Sequence, residues 1–104
     1  MMKISEVRSH AMSLMDVTEE PHHQSLSFRI KGKIFATIPP GDDILHIMIN
    51  QEERELAIVL YPDVYEKLWW GKKVFGVKVV LAKANADHVR ELLELAWLNK
   101  ATKK

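Results

Sequence analysis

Residues 25–38 read "SLSFRIKGKIFATI", and the fold turns on how this stretch is read. Leu26, Phe28 and Ile30 alternate with Ser27, Arg29 and Lys31, the period-two pattern of a strand with one face toward a core. Gly32 falls where a tight turn requires positive φ, and Ile34 to Ile38 supply the return strand. The stretch therefore predicts an antiparallel hairpin with a basic tip, Lys31-Gly32-Lys33.

Downstream, the Pro39-Pro40-Gly41 run ends that strand, because proline cannot donate to a ladder. Ile44 to Ile49 read as a third strand. Asn50-x-x-Glu53 resembles a capping box, with Glu52 and Glu53 in the first turn where the helix dipole favours acids. Leu56, Val59 and Leu60 are expected to be the apolar face of that helix, which should stop near Tyr61, before Pro62. A further strand is predicted over about 74–82, with Phe75, Val77, Val79 and Leu81 on one face and Gly76, Lys78 and Val80 on the other. Gly76 marks a bulge or a close backbone approach. A short extra strand is conceivable around Val64–Leu68. The last helix starts near Asn85, where Val89, Leu92, Leu93, Ala96 and Trp97 follow the strongest amphipathic pattern in the chain. Residues 98–104 are expected to fray.

Upstream, Ile4, Val7, Ala11, Leu14 and Met15 share one face of a helix over 4–15. The polar segment "DVTEEPHHQ" that follows reads as a loop. Met12, Met15 and Met48 read as core filler, and His10 and His88 as surface. The predicted order is helix, three strands, helix, strand, helix. Short connections favour antiparallel neighbours, so the class is α+β, a two-layer arrangement of a sheet with helices packed on it. The 104 residues are expected to form a single domain, 1–104, without internal repeats.

Composition excludes several classes. With 47% hydrophobic residues the chain is not disordered by composition. It has no cysteine, which removes disulfides, zinc thiolate sites, iron–sulfur clusters and cysteine nucleophiles, and fits a cytoplasmic location. The N-terminus has no unbroken apolar run, so neither a signal peptide nor a membrane span is expected there. There is no GxSxG, phosphate loop, HExxH or dinucleotide fingerprint, and the expectation is a protein that is not an enzyme and needs no cofactor or metal.

The net charge is only +1, low for a dedicated nucleic-acid binder, but it is unevenly spread. Residues 26–38 carry Arg29, Lys31 and Lys33 and no acid. Residues 67–83 carry Lys67, Lys72, Lys73, Lys78 and Lys83 and no acid. Between them, Asp42, Asp43, Glu52, Glu53 and Glu55 face only Arg54.

Three stretches are distinctive together: the Glu-x-Pro-His segment at 19–22, the Phe-Arg-x-x-Gly-Lys-x-Phe-Ala hairpin at 28–36, and "YEKLWWGKKVFGVKVVL" at 65–81. With "LHIMI" at 45–49 and "VRELLELAWLNKA" at 89–101, they resemble the MmcQ/YjbR-like family of small bacterial proteins over nearly the whole chain. The resemblance implies an antiparallel sheet with helices packed on it, and no catalytic residues. Members are commonly labelled DNA-binding through likeness to a double-wing architecture, in which exposed hairpins approach the duplex.

The candidate site residues follow from charge and aromatic placement. Arg29, Lys31, Lys33, Lys72, Lys73 and Lys78 are the candidates for phosphate contact. Trp69 and Trp70 are the candidates for stacking. Neighbours in an extended segment point to opposite sides, so one ring is expected in the core and the other at the surface. His22 is the best ligand candidate in the "EEPHH" loop, while the adjacent acids are expected to hold that loop in place. His46 should face away from Leu45 and Ile47. The partner is then DNA, bound weakly and with salt sensitivity, or alternatively a protein or small ligand held by Phe35, Tyr65, Trp69 and Trp70. The second alternative requires a concave apolar pocket beside the Trp-Trp-Gly segment.

Overall fold

The hairpin forms as its alternation requires. In the computed structural model, which describes residues 1–41 and 43–102, β2 (Ser25–Ile30) pairs antiparallel with β3 (Lys33–Ile38) through Leu26↔Ile38 and Phe28↔Ala36. Lys31 and Gly32 both adopt positive φ, 54° and 76°, as a two-residue turn between right-twisted strands demands. The remaining elements are α1 (Ile4–Ser13), β1 (Val17–His22), β4 (Ile44–Ile47), α2 (Gln51–Leu60), β5 (Tyr65–Trp70), β6 (Lys73–Val80) and α3 (Ala86–Thr102). The six strands form one fully antiparallel sheet in the order β1-β2-β3-β4-β6-β5. Together with three helices this is an α+β fold.

Two strands exceed the predicted order. The polar segment expected to be a loop is strand β1, paired with β2 from Val17↔Ile30 to His22↔Ser25. It lies at the edge of the sheet, where Pro21 does not interrupt an interior ladder. The extra strand near 64–68 exists as β5 and is the other edge, so the order is helix, four strands, helix, two strands, helix.

The core lies between the sheet and the helices. Phe28, Phe35, Leu45, Ile47, Val77 and Val79 of the sheet are buried with Val7 and Ala11 of α1 and Val89, Leu92, Leu93 and Ala96 of α3. Met12 and Met15 do not contribute: Met12 lies on the solvent side of α1, and the helix ends at Ser13, which leaves Met15 exposed in the turn that follows; Met48 is only half-buried. Asn50 caps α2 by accepting a hydrogen bond from the Glu53 backbone N–H at 3.1 Å. The face that α2 buries differs from expectation: Arg54 and Ala57 point inward with Ile58 partly covered, while Leu56, Val59 and Leu60 remain 59%, 76% and 55% exposed. The tail expected to fray is helical to Thr102. Trp97 Nε1–H donates to the Met15 carbonyl and Lys31 Nζ to the Ala101 carbonyl, both at 3.0 Å, and these bonds tie the last turns down. Asp42, Lys103 and Lys104 lie outside the described residues.

No repeat is visible in the sequence, yet the β2–β3 and β5–β6 hairpins share a turn length and a bulge position, although their turns differ: both turn residues have positive φ in the first and only Gly71 in the second. Each has a two-residue turn, closed by Ile30↔Lys33 in one and Trp70↔Lys73 in the other. Each then shifts register by one residue at a phenylalanine: Phe35 lies between Arg29↔Ile34 and Phe28↔Ala36, and Phe75 between Trp69↔Val74 and Leu68↔Gly76. Such a bulge bends and twists its strand. The hairpins present opposite faces to the core, so Phe35 is buried and Phe75 is not. This moves Phe75 off the apolar row where simple alternation had placed it. Because β2 and β5 run in the same direction across the antiparallel order, both turns lie at the same end of the sheet.

Candidate binding face

The alternation that aims Leu45, Ile47, Val77 and Val79 at the core aims their neighbours the other way. One row of register partners then crosses all six strands on the face opposite the core: Glu20, Ser27, Thr37, His46, Lys78 and Glu66. The row is internally bonded. Ser27 Oγ donates to the Glu20 carbonyl at 2.7 Å, Thr37 Oγ1 lies 3.4 Å from His46 Nδ1, and Lys78 Nζ lies 4.0 Å from Glu66. Burial pushes the His46 imidazole below its ordinary pKa, and the neighbouring Lys78 ammonium pushes it further down.

Toward the hairpin turns, this face becomes apolar and concave. A cleft of about 480 Å³ opens there, with Ile34, Met48, Leu68, Trp69, Trp70 and Phe75 among its walls. His22, Thr37 and His46 supply polar groups and Lys100 reaches it from α3. The size falls in the range of small-molecule sites. Trp70 and Phe75 meet at 5.2 Å between ring centroids with their planes 60° apart. Beside Phe75, Gly76 permits a close approach of the backbone at the end of β4: a Cβ there would run into the Ile47 carbonyl.

The tryptophans differ from expectation. Trp69 is 59% and Trp70 75% exposed, so neither is a core ring. Both line the same cleft, at the end of an edge strand where they close a hairpin. Tyr65, earlier on the same strand, fills the core instead.

Four of the six basic candidates are already engaged within the protein. Arg29 lies along the open face, 3.1 Å from Ser27 Oγ, 4.0 Å from Glu20 and 3.5 Å from His22 Nδ1. Lys78 pairs with Glu66, and Lys31 caps the carboxyl end of α3 through Ala101. Lys33 is half-buried and also engaged. Lys72 and Lys73 are exposed at the second turn, with Lys73 directly across from Trp70. His22 lies in the cleft, on a strand rather than a loop, with its ring 4.6 Å from that of His23. Glu19 anchors the strand to α1 through a two-pronged ion pair with Arg8 at 2.8 and 2.9 Å.

Several cleft residues escaped the sequence reading. Thr37, His46 and Met48 carried a usable signal, since each alternates with a core residue. Phe75 carried only an indirect one: Gly76 beside it marks a bulge or a close approach, but alternation alone does not say which residue the bulge turns outward. His88, read as surface, is half-buried and lies 2.6 Å from the Tyr65 hydroxyl. Burial raises the Tyr65 pKa, with smaller contributions from Tyr61 and Glu91, so this phenol stays protonated. No group of three or more potential metal-ligating side chains occurs among the described residues. No helix among them is long and apolar enough to cross a membrane.

The architecture is that of a small α+β protein with one helix-covered sheet face and one open face between two bulged hairpins. The YjbR family model matches residues 12–99, and the chain belongs to that family. Its structure is similar to the crystal structure of Deinococcus radiodurans protein DR2400, a DUF419 protein, with a TM-score of 0.82. The two are 22% identical over 99% of this chain and 81% of that one, a likeness of fold. No curated protein matches the chain.

Proposed function

We propose that this protein is a non-enzymatic nucleic-acid-binding protein whose contact surface is the hairpin end of the open sheet face. The observation that carries this reading is the exposed Trp70–Phe75 pair with Lys73 directly opposite Trp70 and Lys72 at the turn. Aromatic faces beside cations are what a nucleic-acid strand requires, since bases stack and phosphates are neutralised. The placement of both hairpin turns at one end supports a two-wing approach. The contact set is narrower than six cations: Arg29, Lys31, Lys33 and Lys78 are already engaged within the protein, which leaves Lys72 and Lys73 as the principal phosphate contacts.

The test is fluorescence anisotropy of labelled duplex and single-stranded oligonucleotides at low and moderate salt. Binding should weaken with salt and fall in the Lys72→Glu/Lys73→Glu variant. No binding at about tens of micromolar protein in low salt would sink the reading. The apolar lining of the cleft favours a second reading, a small-ligand-binding module without a nucleic-acid role. Under that reading the double lysine variant leaves affinity for an uncharged aromatic probe unchanged.

A further inference from the structure

We infer that the cleft between the hairpins takes a single unpaired nucleobase, so that the protein prefers single-stranded nucleic acid over duplex. This rests on the nucleic-acid reading above and specifies what enters the site.

The argument starts from how polarity is distributed. Lys72 and Lys73 sit at the turn, outside the cleft lining, and Lys100 of α3 lines the cleft itself. The floor is lined by Thr37, His46 and His22. Thr37 and a neutral His46 imidazole lie 3.4 Å apart and satisfy one bond between themselves, so the pair keeps a donor and an acceptor for a ligand, which suits the edge of a base better than a phosphate. His46 stays neutral there because it is half-buried beside Lys78. The walls are rings: the tilt between Trp70 and Phe75 leaves the Trp70 face unstacked by its neighbour, and Trp70 is mostly in solvent. A planar ring with a phosphate on its far side therefore meets an aromatic wall, a hydrogen-bonding floor and cations at the cleft edge.

A duplex cannot use this site as it stands. Its bases are already stacked and paired, and extruding one costs free energy that two rim lysines do not repay. A duplex is left with the rim alone, whereas a single strand gains both rim and cleft.

The experiment compares a labelled oligothymidylate dodecamer with the same strand annealed to oligoadenylate, at low salt, by anisotropy and by quenching of tryptophan fluorescence. The single strand is expected to bind at least about tenfold more tightly than the duplex, and to quench. Trp70→Ala should weaken single-strand binding about five- to a hundredfold, abolish most of the quenching and leave duplex binding unchanged. Trp70 is exposed, so the variant folds; Trp70→Phe, which keeps a stacking face, should recover most of the affinity. Equal binding of both probes, unaffected by Trp70→Ala, would overturn base insertion while leaving phosphate contact intact. Binding of neither probe would remove the nucleic-acid reading together with this one.

Discussion

A side chain at position 76 has nowhere to go. Its Cβ would meet the carbonyl of Ile47 and the Cα of Met48, and both are backbone atoms pinned by β4 pairing. A flexible side chain could swing aside, but a strand cannot without losing its ladder. Gly76→Ala should therefore cost at least about 3 kcal/mol, more than the usual overpacking penalty, and a denaturant melt will measure it. A melt within about 1 kcal/mol of the parent would mean that the β4–β6 crossing is looser than described. His46 makes a prediction of a different kind. Its pKa is lowered in the folded protein relative to the ordinary 6.5, so the unfolded chain binds the proton more readily. Stability is then fully present above about pH 6.5 and declines as pH falls through the lower folded value. His46→Asn should flatten this part of the stability–pH curve; an unchanged slope would assign it to other groups.

At the scale of elements, α2 inverts the usual logic of an amphipathic helix. Its most apolar stripe, Leu56, Val59 and Leu60, points outward, while Arg54, Ala57 and Ile58 face the β5 edge. Leu56→Lys together with Val59→Lys should change stability by less than about 1 kcal/mol, because neither side chain leaves a core. Had these residues packed as their spacing suggests, each loss would be about 2–5 kcal/mol, so thermal or chemical melts separate the two arrangements. The same contrast explains what was legible in the sequence. The β2–β3 hairpin, β4, α2, β6 and α3 were readable because periodicity and turn chemistry are local. What periodicity cannot report is which side of an element is later covered. That depends on partners distant in sequence: β1 is a strand because β2 offers it an edge, and the Trp69-Trp70 end of β5 lines a cleft at the other edge. The opposed facing of two hairpins with one shared bulge geometry depends on their places in the sheet order, and so left Phe75 and much of the cleft unread.

For the whole molecule, the near-neutral charge sets how nucleic acid can be held. A surface that used all six basic candidates would show a log–log salt slope near −4 on single strands, at about −0.7 per neutralised phosphate. The structure commits four of those cations elsewhere: Arg29 to Glu20 and Ser27, Lys78 to Glu66, Lys31 to the carboxyl end of α3, and Lys33, which is also engaged. Exposed pairs of this kind are individually weak, and a phosphate could compete for Lys78 or Arg29 at small cost. Lys31 differs, because releasing it uncovers a helix terminus that favours a cation. Two or three contacts remain, which gives an expected slope of about −1.4 to −2.1. An anisotropy series across salt concentrations measures it directly. A slope within that range, with affinity that persists at moderate salt, means that stacking in the cleft carries most of the binding. A slope near −4 means instead that the open-face ion pairs exchange their partners for phosphates, and that the polar row across the sheet is itself part of the contact surface.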